Sequence, residues 1–146
     1  MIVYMDSSVV ARVYFADEPD HQRAASLLDD TGLARVTGTW TKIEVTGAIV
    51  RAGRTGRIDP NRLMALLEDD LDEGGRISEV SADQGTVEDQ ALRLVRQYGM
   101  RAMDAWHLAV AVIVVPLLAD ADETIAFASR DASQGEVAAL LGFEVL

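Results

Sequence analysis

The sequence predicts an α/β fold built on a central, mostly parallel sheet of four to five strands, flanked by helices on both faces. Short apolar runs containing β-formers alternate with longer segments of helical periodicity along the whole chain. Two of these runs are followed by an aspartate: Asp6 comes directly after Ile2 to Met5, and Asp131 shortly after Ile125 to Ala128. Both acids therefore fall at carboxyl ends of strands, the edge at which open α/β sheets bind ligands.

Ile2 to Met5 is short and apolar enough for a buried strand. Ser7 to Phe15 then reads as a helix with Asp6 or Ser7 near its cap, and Pro19 to Asp30 as a second. Ala34 to Thr37 is a short strand. From Thr39 or Trp40 to about Arg54 the pattern is helical, with Gly53 and Gly56 at its frayed end. Asp59-Pro60 opens a helix toward Glu73, because a proline's missing N–H is no loss in the first turn. Gly74-Gly75 ends it, and Arg76 to Val80 follows as the third strand. Ala82 to Tyr98 is amphipathic, with Val87, Ala91, Leu94 and Val95 turned inward and Gly99 at C′. The segment from Met103 to about Leu118 is apolar on nearly every side, which predicts the central buried helix, kinked or ended by Pro116. Ile125 to Ala128 is the fourth strand. Ser133 to Leu141 is a helix with Ser133 and Glu136 in capping-box spacing, and Phe143 to Leu146 is the last strand.

A chain of 146 residues, 49% of them apolar, suits one domain with a single core. The net charge of -11 argues against nonspecific attraction to nucleic acid or anionic lipid, unless bound cations and a local basic rim reverse the field. Lys42 is the only lysine among 13 basic residues; the rest are arginines, which grip phosphate in a two-pronged way. With no cysteine there are no disulfides, thiolate metal sites or cysteine nucleophiles. The most apolar segment, Ala105 to Ala119, is shorter than the roughly 20 residues that cross a bilayer. No signal peptide is read at the N-terminus, so a soluble cytoplasmic protein is the expectation.

Four acids stand out: Asp6, Glu44, Asp104 and Asp131. Taken singly, the aspartates have an ordinary explanation as helix caps, where negative charge is stabilised by about 0.3–1 kcal/mol. Asp104 strains it. The helix it opens, Ala105-Trp106-His107-Leu108-Ala109-Val110, is apolar all round, so its first turn is expected against the core, where an unpaired carboxylate is costly. Glu44 lies inside a helix, and its neighbours at helical spacing are Trp40, Gly47 and Ala48 rather than bases; a solvated surface glutamate is the alternative. Jointly, two acids at strand ends and two on helices flanking that edge form an oxygen-only set, which selects hard cations such as Mg²⁺ or Mn²⁺. Packed without a cation, such carboxylates repel one another and their pKa values should rise.

Other groups have simpler expectations. His107, three residues after Asp104, is read as a packing or hydrogen-bonding residue rather than a ligand. Trp40 and Trp106 are read as core or interface residues, and Asp120, Asp122 and Glu123 as a solvated loop. Arg51, Arg54 and Arg57 recur every third residue, either as a phosphate-contacting ridge or as a solvated helical face.

The segments MIVYMDSSVVARVYFADE, TKIEVTGAIVR, MDAWHLAVA and FASRDAS, in this order and spacing, resemble the PIN-domain ribonucleases, and more narrowly the VapC toxins of bacterial type II toxin–antitoxin pairs. The resemblance runs from Met1 to Leu146 and implies a single PIN domain over residues 1–146. It implies an endoribonuclease that uses Mg²⁺, with Mn²⁺ as a substitute. Asp6 and Asp104 would hold the ion, with Glu44 and Asp131 orienting water or completing a second site, and Ser8 and Ser129 as supporting hydroxyls. The connection from Val110 to Asp122 is longer than in compact members, which admits Asp122 as an alternative to Asp131; Asp131 is favoured because it follows the strand. The implied partners are an RNA substrate, a cognate VapB-like antitoxin and a second copy in a homodimer, with no membrane. The alternative is a non-catalytic PIN-like or receiver-like binding domain. A phosphoacceptor receiver wants paired acids at the first strand and a lysine after the last, whereas Asp6 is followed by serines and Lys42 lies elsewhere.

Overall fold

Side chains alternate across a strand, and in the first strand, β1 (Ile2–Met5), that alternation divides the molecule. Val3 and Met5 enter one apolar cluster, Ile2 and Tyr4 the other. In the computed structural model, which describes residues 1–146, β1 is the middle strand of a five-stranded parallel sheet of order β3-β2-β1-β4-β5. The other strands are β2 (Ala34–Gly38), β3 (Ser78–Val80), β4 (Ile125–Ala128) and β5 (Glu144–Val145). Helices α1 (Ser7–Tyr14), α2 (His21–Asp29), α3 (Trp40–Arg54) and α4 (Pro60–Leu71) supply the first cluster. Helices α5 (Gln84–Tyr98), α6 (Ala102–Leu118) and α7 (Ala132–Leu140) supply the second. Both faces are covered, as a parallel sheet requires.

The strand order carries the functional consequence. The chain builds outward from β1 to β2 to β3, then returns to lay β4 and β5 on the other side of β1. Met5 and Ala128, the last residues of β1 and β4, lie side by side, while α1 and α7 leave toward opposite faces. That divergence is a topological switch point, and it opens a crevice at the carboxyl edge. No helix is long and apolar enough to cross a membrane.

Most elements lie where the sequence predicts, and the differences have local causes. Arg76 does not join β3, because its guanidinium turns to Asp70, with bonds of 2.5 and 2.9 Å, while the Tyr14 hydroxyl donates to the same carboxylate at 2.8 Å. Asp70 is only 4% exposed, so this buried acid has partners that explain it without a ligand. Pro116 does not end α6, which continues to Leu118; the proline sits in the last turn, where little helix remains to be displaced. The cap of α7 is Asp131 rather than Ser133, since the Asp131 carboxylate accepts the Gln134 N–H at 3.1 Å and the helix has already begun at Ala132. The last strand is limited to Glu144 and Val145.

Two residues of β2 stitch the carboxyl edge together. Buried Thr37 donates to the Met5 carbonyl at 2.7 Å and meets the Thr41 hydroxyl of α3 at 2.6 Å. Beside it, a Cβ on Gly38 would lie 2.6 Å from the Tyr4 hydroxyl and 2.7 Å from the Trp106 ring. Only glycine lets β2 approach that closely. Gly38→Ala is therefore expected to destabilise the fold by about 1–3 kcal/mol in urea unfolding, the usual range for overpacking. Wild-type stability would show that the ring and hydroxyl move aside freely.

Candidate active site at the carboxyl edge

Asp6 follows β1 in extended backbone and caps α1. Its Oδ2 accepts from the Ser8 N–H at 3.2 Å and the Ser8 hydroxyl at 2.6 Å, while Oδ1 lies 3.7 Å from His107 Nε2. One oxygen serves as the cap and the other faces a different group, so capping and a site role coexist in one residue. The Ser8 oxygen also accepts the Arg130 N–H at 3.2 Å, tying the turn after β1 to the turn after β4.

Asp131 likewise caps its helix with a single oxygen, Oδ1. Its own N–H donates to Ser129 Oγ at 3.0 Å, and the Ser129 hydroxyl donates to Gln134 Oε1 at 2.6 Å. The buried Gln134 amide in turn donates to the Asp104 carbonyl at 3.0 Å, which fixes the start of α6 against the β4–α7 turn. Ser8 and Ser129 thus act as ties between segments. Gln134 was not foreseen from sequence, where it reads as an ordinary first-turn residue.

Asp104, in the first turn of α6, is half-buried rather than sunk in the core. Desolvation raises its pKa above the ordinary aspartate value, and the negative charges of Asp6 and Asp131 raise it further, against weaker opposition from Arg101 and His107. The expected mutual repulsion is present at this acid. Asp122 takes no part: it lies in the turn before β4, at the opposite edge of the sheet, next to Glu123, whose carboxylate holds the N-terminal ammonium at 3.0 Å.

Glu44 has a different environment. Its basic partner comes from α6 rather than from its own helix: His107 Nε2 lies 2.6 Å from Glu44 Oε2. A carboxylate only accepts, so Nε2 carries the hydrogen and Nδ1 is left to accept from the Tyr4 hydroxyl at 2.9 Å. Desolvation pushes the Glu44 pKa up, but the interaction with His107, helped by Ser7, outweighs it and holds the carboxyl below its ordinary value. Burial, with the charge of Asp6, pushes the Tyr4 phenol well up and keeps it a donor. His107 is 1% exposed and makes hydrogen bonds on both nitrogens, the role its position in the sequence suggests.

The structure narrows the aromatic and basic expectations. Trp40 is 46% exposed and tilted against the half-buried Trp106 at 5.9 Å, which leaves it the interface reading and not the core one. Arg57 lies beyond the end of α3 and is drawn to Asp17 at 2.6 Å and Glu18 at 2.7 Å, which breaks the series begun by Arg51 and Arg54.

As they stand, no three of the Asp, Glu and His side chains converge tightly enough to grip an ion. The donor chemistry nonetheless fits a hard divalent cation: the crevice offers carboxylate oxygens, and Asp104 carries repulsion from Asp6 and Asp131 that a cation would relieve.

A family model for the PIN domain matches residues 3–140. Among solved structures, VapBC-1 from nontypeable Haemophilus influenzae is similar at 13% identity, over 99% of this chain and 98% of that one, with a TM-score of 0.57. VapC20 of Mycobacterium tuberculosis, a sarcin–ricin loop cleaving toxin, is similar at 23% identity, over 74% of this chain and 79% of that one, with a TM-score of 0.53. At these identities the likeness speaks for the fold. No curated relative is detected by sequence comparison.

The state of Asp104 has a measurable consequence. Because its folded pKa is raised, its ionisation opposes folding: the penalty is absent at low pH and appears as pH rises through the raised value. Asp104→Asn should therefore raise the Tm at pH 7 by roughly 1–3 °C, with the two proteins converging below about pH 4. A lower Tm for the variant at pH 7 would mean that Asp104 is held by attraction instead.

Proposed function

The chain belongs to the PIN domain family, and we propose that it is a Mg²⁺-dependent endoribonuclease, the toxin of a VapBC-type toxin–antitoxin pair, able to use Mn²⁺ in place of Mg²⁺. The observation that supports this reading is that Asp6 and Asp131 follow the paired strands β1 and β4 and lie near enough to Asp104 of α6 for their charges to raise its pKa, although the three do not converge on a point.

Asp6 and Asp104 would hold the cation, and Asp131 would complete the set from the far wall of the crevice. A divalent cation there supplies Lewis-acid stabilisation of the phosphate and a lower pKa for water. Glu44, kept ionised by His107, is the group suited to orient the attacking water. His107 keeps Glu44 in place, and Tyr4 keeps His107 in its tautomer. Ser8 and Ser129 hold the two strand-end turns at the spacing the carboxylates need.

The partners follow from the same reading. RNA is the substrate. A VapB-like antitoxin would carry a basic segment onto the acidic crevice, a match suited to a chain with net charge -11. Exposed Trp40 and Ile43 on α3 provide apolar surface for pairing two copies. The proposed location is the cytoplasm.

The test compares wild type with Asp6→Asn and Asp104→Asn for cleavage of total RNA in Mg²⁺, with and without EDTA, beside growth on induction. Wild type should cut RNA and slow growth, EDTA should abolish the cutting, and each variant should lose about 100-fold or more, the scale of several kcal/mol of lost charge stabilisation. Equal, EDTA-insensitive activity in all three proteins would overturn the mechanism. RNA binding without cleavage by the wild type would favour the non-catalytic binding domain instead.

A further inference from the structure

On the other side of the β4–α7 turn from Asp104, a hollow of about 160 Å³ lies between α1, α2 and that turn. Arg12, Arg23 and Arg130 line it, against a single acid, Asp20. This is a locally basic wall in a chain whose net charge is -11. The three arginines are only partly satisfied. One Arg12 Nη pairs with Glu18, and Arg130 Nε with Asp20 at 3.1 Å, while Arg23 is exposed on α2. Arg12 Nε is the one buried side-chain nitrogen or oxygen in the structure with no hydrogen-bond partner. A buried donor left open is rare in native proteins, and the hollow beside it is lined by two further guanidinium groups, a wall suited to an anion.

The hollow is joined to the carboxylate crevice. Ser129 and Arg130 line it and immediately precede Asp131. The Arg130 N–H bonds Ser8 Oγ, whose hydroxyl bonds Asp6. A strand lying across the β4–α7 turn would reach both. Guanidinium forks match tetrahedral oxyanions, and the two unesterified oxygens of a phosphodiester can each accept from more than one arginine.

We propose that this hollow binds a phosphate group, and that the phosphate is a backbone phosphate of RNA flanking the cut. The source of the ligand rests on the ribonuclease reading; the anion site itself does not. The arginines would position the strand while the carboxylates act on the neighbouring phosphodiester.

Two measurements on the intact chain test this, both in the cleavage-blocked Asp104→Asn background. The first titrates inorganic phosphate and follows the arginine Nε–Hε resonances by NMR. The second measures binding of a single-stranded RNA oligonucleotide by fluorescence anisotropy over a range of salt, for the parent, Arg23→Gln, Arg130→Gln and Arg23→Lys. Phosphate should shift the Arg12 Nε–Hε signal. Each glutamine variant should bind RNA more weakly regardless of its sequence, and its log–log salt slope should shrink by about 0.7, the value for one lost phosphate contact on a single strand. Arg23→Lys should retain the slope.

Unchanged RNA affinity and slope in both glutamine variants, with no phosphate response at the arginines, would overturn the proposal. A phosphate response with RNA binding unaffected would assign the hollow to free phosphate and overturn its role on the strand. If the parent binds no RNA at any salt while phosphate still shifts Arg12, the ribonuclease reading falls and the anion site stands.

Discussion

β1 and β4 come from opposite ends of the chain, and their parallel pairing, with Met5 beside Ala128, is the constraint on which the crevice depends. The pairing brings the turn after each strand to one place. The helices that follow diverge to opposite faces, so the space between the turns cannot be closed by either. Each turn then needs a cap for the helix it starts, and aspartate supplies it in both cases with one oxygen. The acids gathered at the crevice are thus partly a by-product of how parallel sheets begin their helices. What goes beyond capping is Asp104, delivered to the same place by a third segment and fixed there through Gln134.

The four acids meet two electrostatic fates. Glu44 is desolvated but bonded to His107, and the bond wins, so it favours the charged form. Asp104 is desolvated beside Asp6 and Asp131, and nothing of comparable strength offsets them, so its pKa is raised. The difference is one of partner rather than depth. It also separates their proposed roles: a carboxylate stabilised by a buried histidine suits handling of water, whereas one strained by like charges suits a cation. His107 links Glu44 to Asp6, with Glu44 on Nε2 at 2.6 Å and Asp6 at 3.7 Å from the same nitrogen. The polar chain behind it ends at Tyr4 in the core of the sheet, where Gly38 allows β2 to close over it.

Local words in the sequence made much of this legible. Ile2 to Met5 with Asp6, and Ile125 to Ala128 with Asp131, announce strands that end in acids, because strand length and turn chemistry are short-range properties. The apolar run after Asp104 announced the central helix for the same reason. The misses were matters of competition or of distance. Asp131 and Ser133 are both good caps, and the choice between them followed the end of β4. Pro116, in the last turn of α6, removes one helical hydrogen bond, and the helix runs on to Leu118. The partner of Glu44 stands 63 residues away, a pairing that exists only once α3 and α6 face each other across β1. The arginine hollow was hidden in the same way: Arg12 and Arg130 belong to opposite ends of the chain, and one-dimensional spacing pointed instead to Arg51, Arg54 and Arg57, the last of which pairs with Asp17 and Glu18.

The central claim is that the gathered carboxylates form one cation site. Mn²⁺ gives the most direct test, because the EPR signal of the free aqua ion falls when a protein takes it up. Titration of Mn²⁺ into the wild-type chain should show uptake that Mg²⁺ competes away and that Asp6→Asn removes. Equal uptake by wild type and Asp6→Asn would contradict the claim.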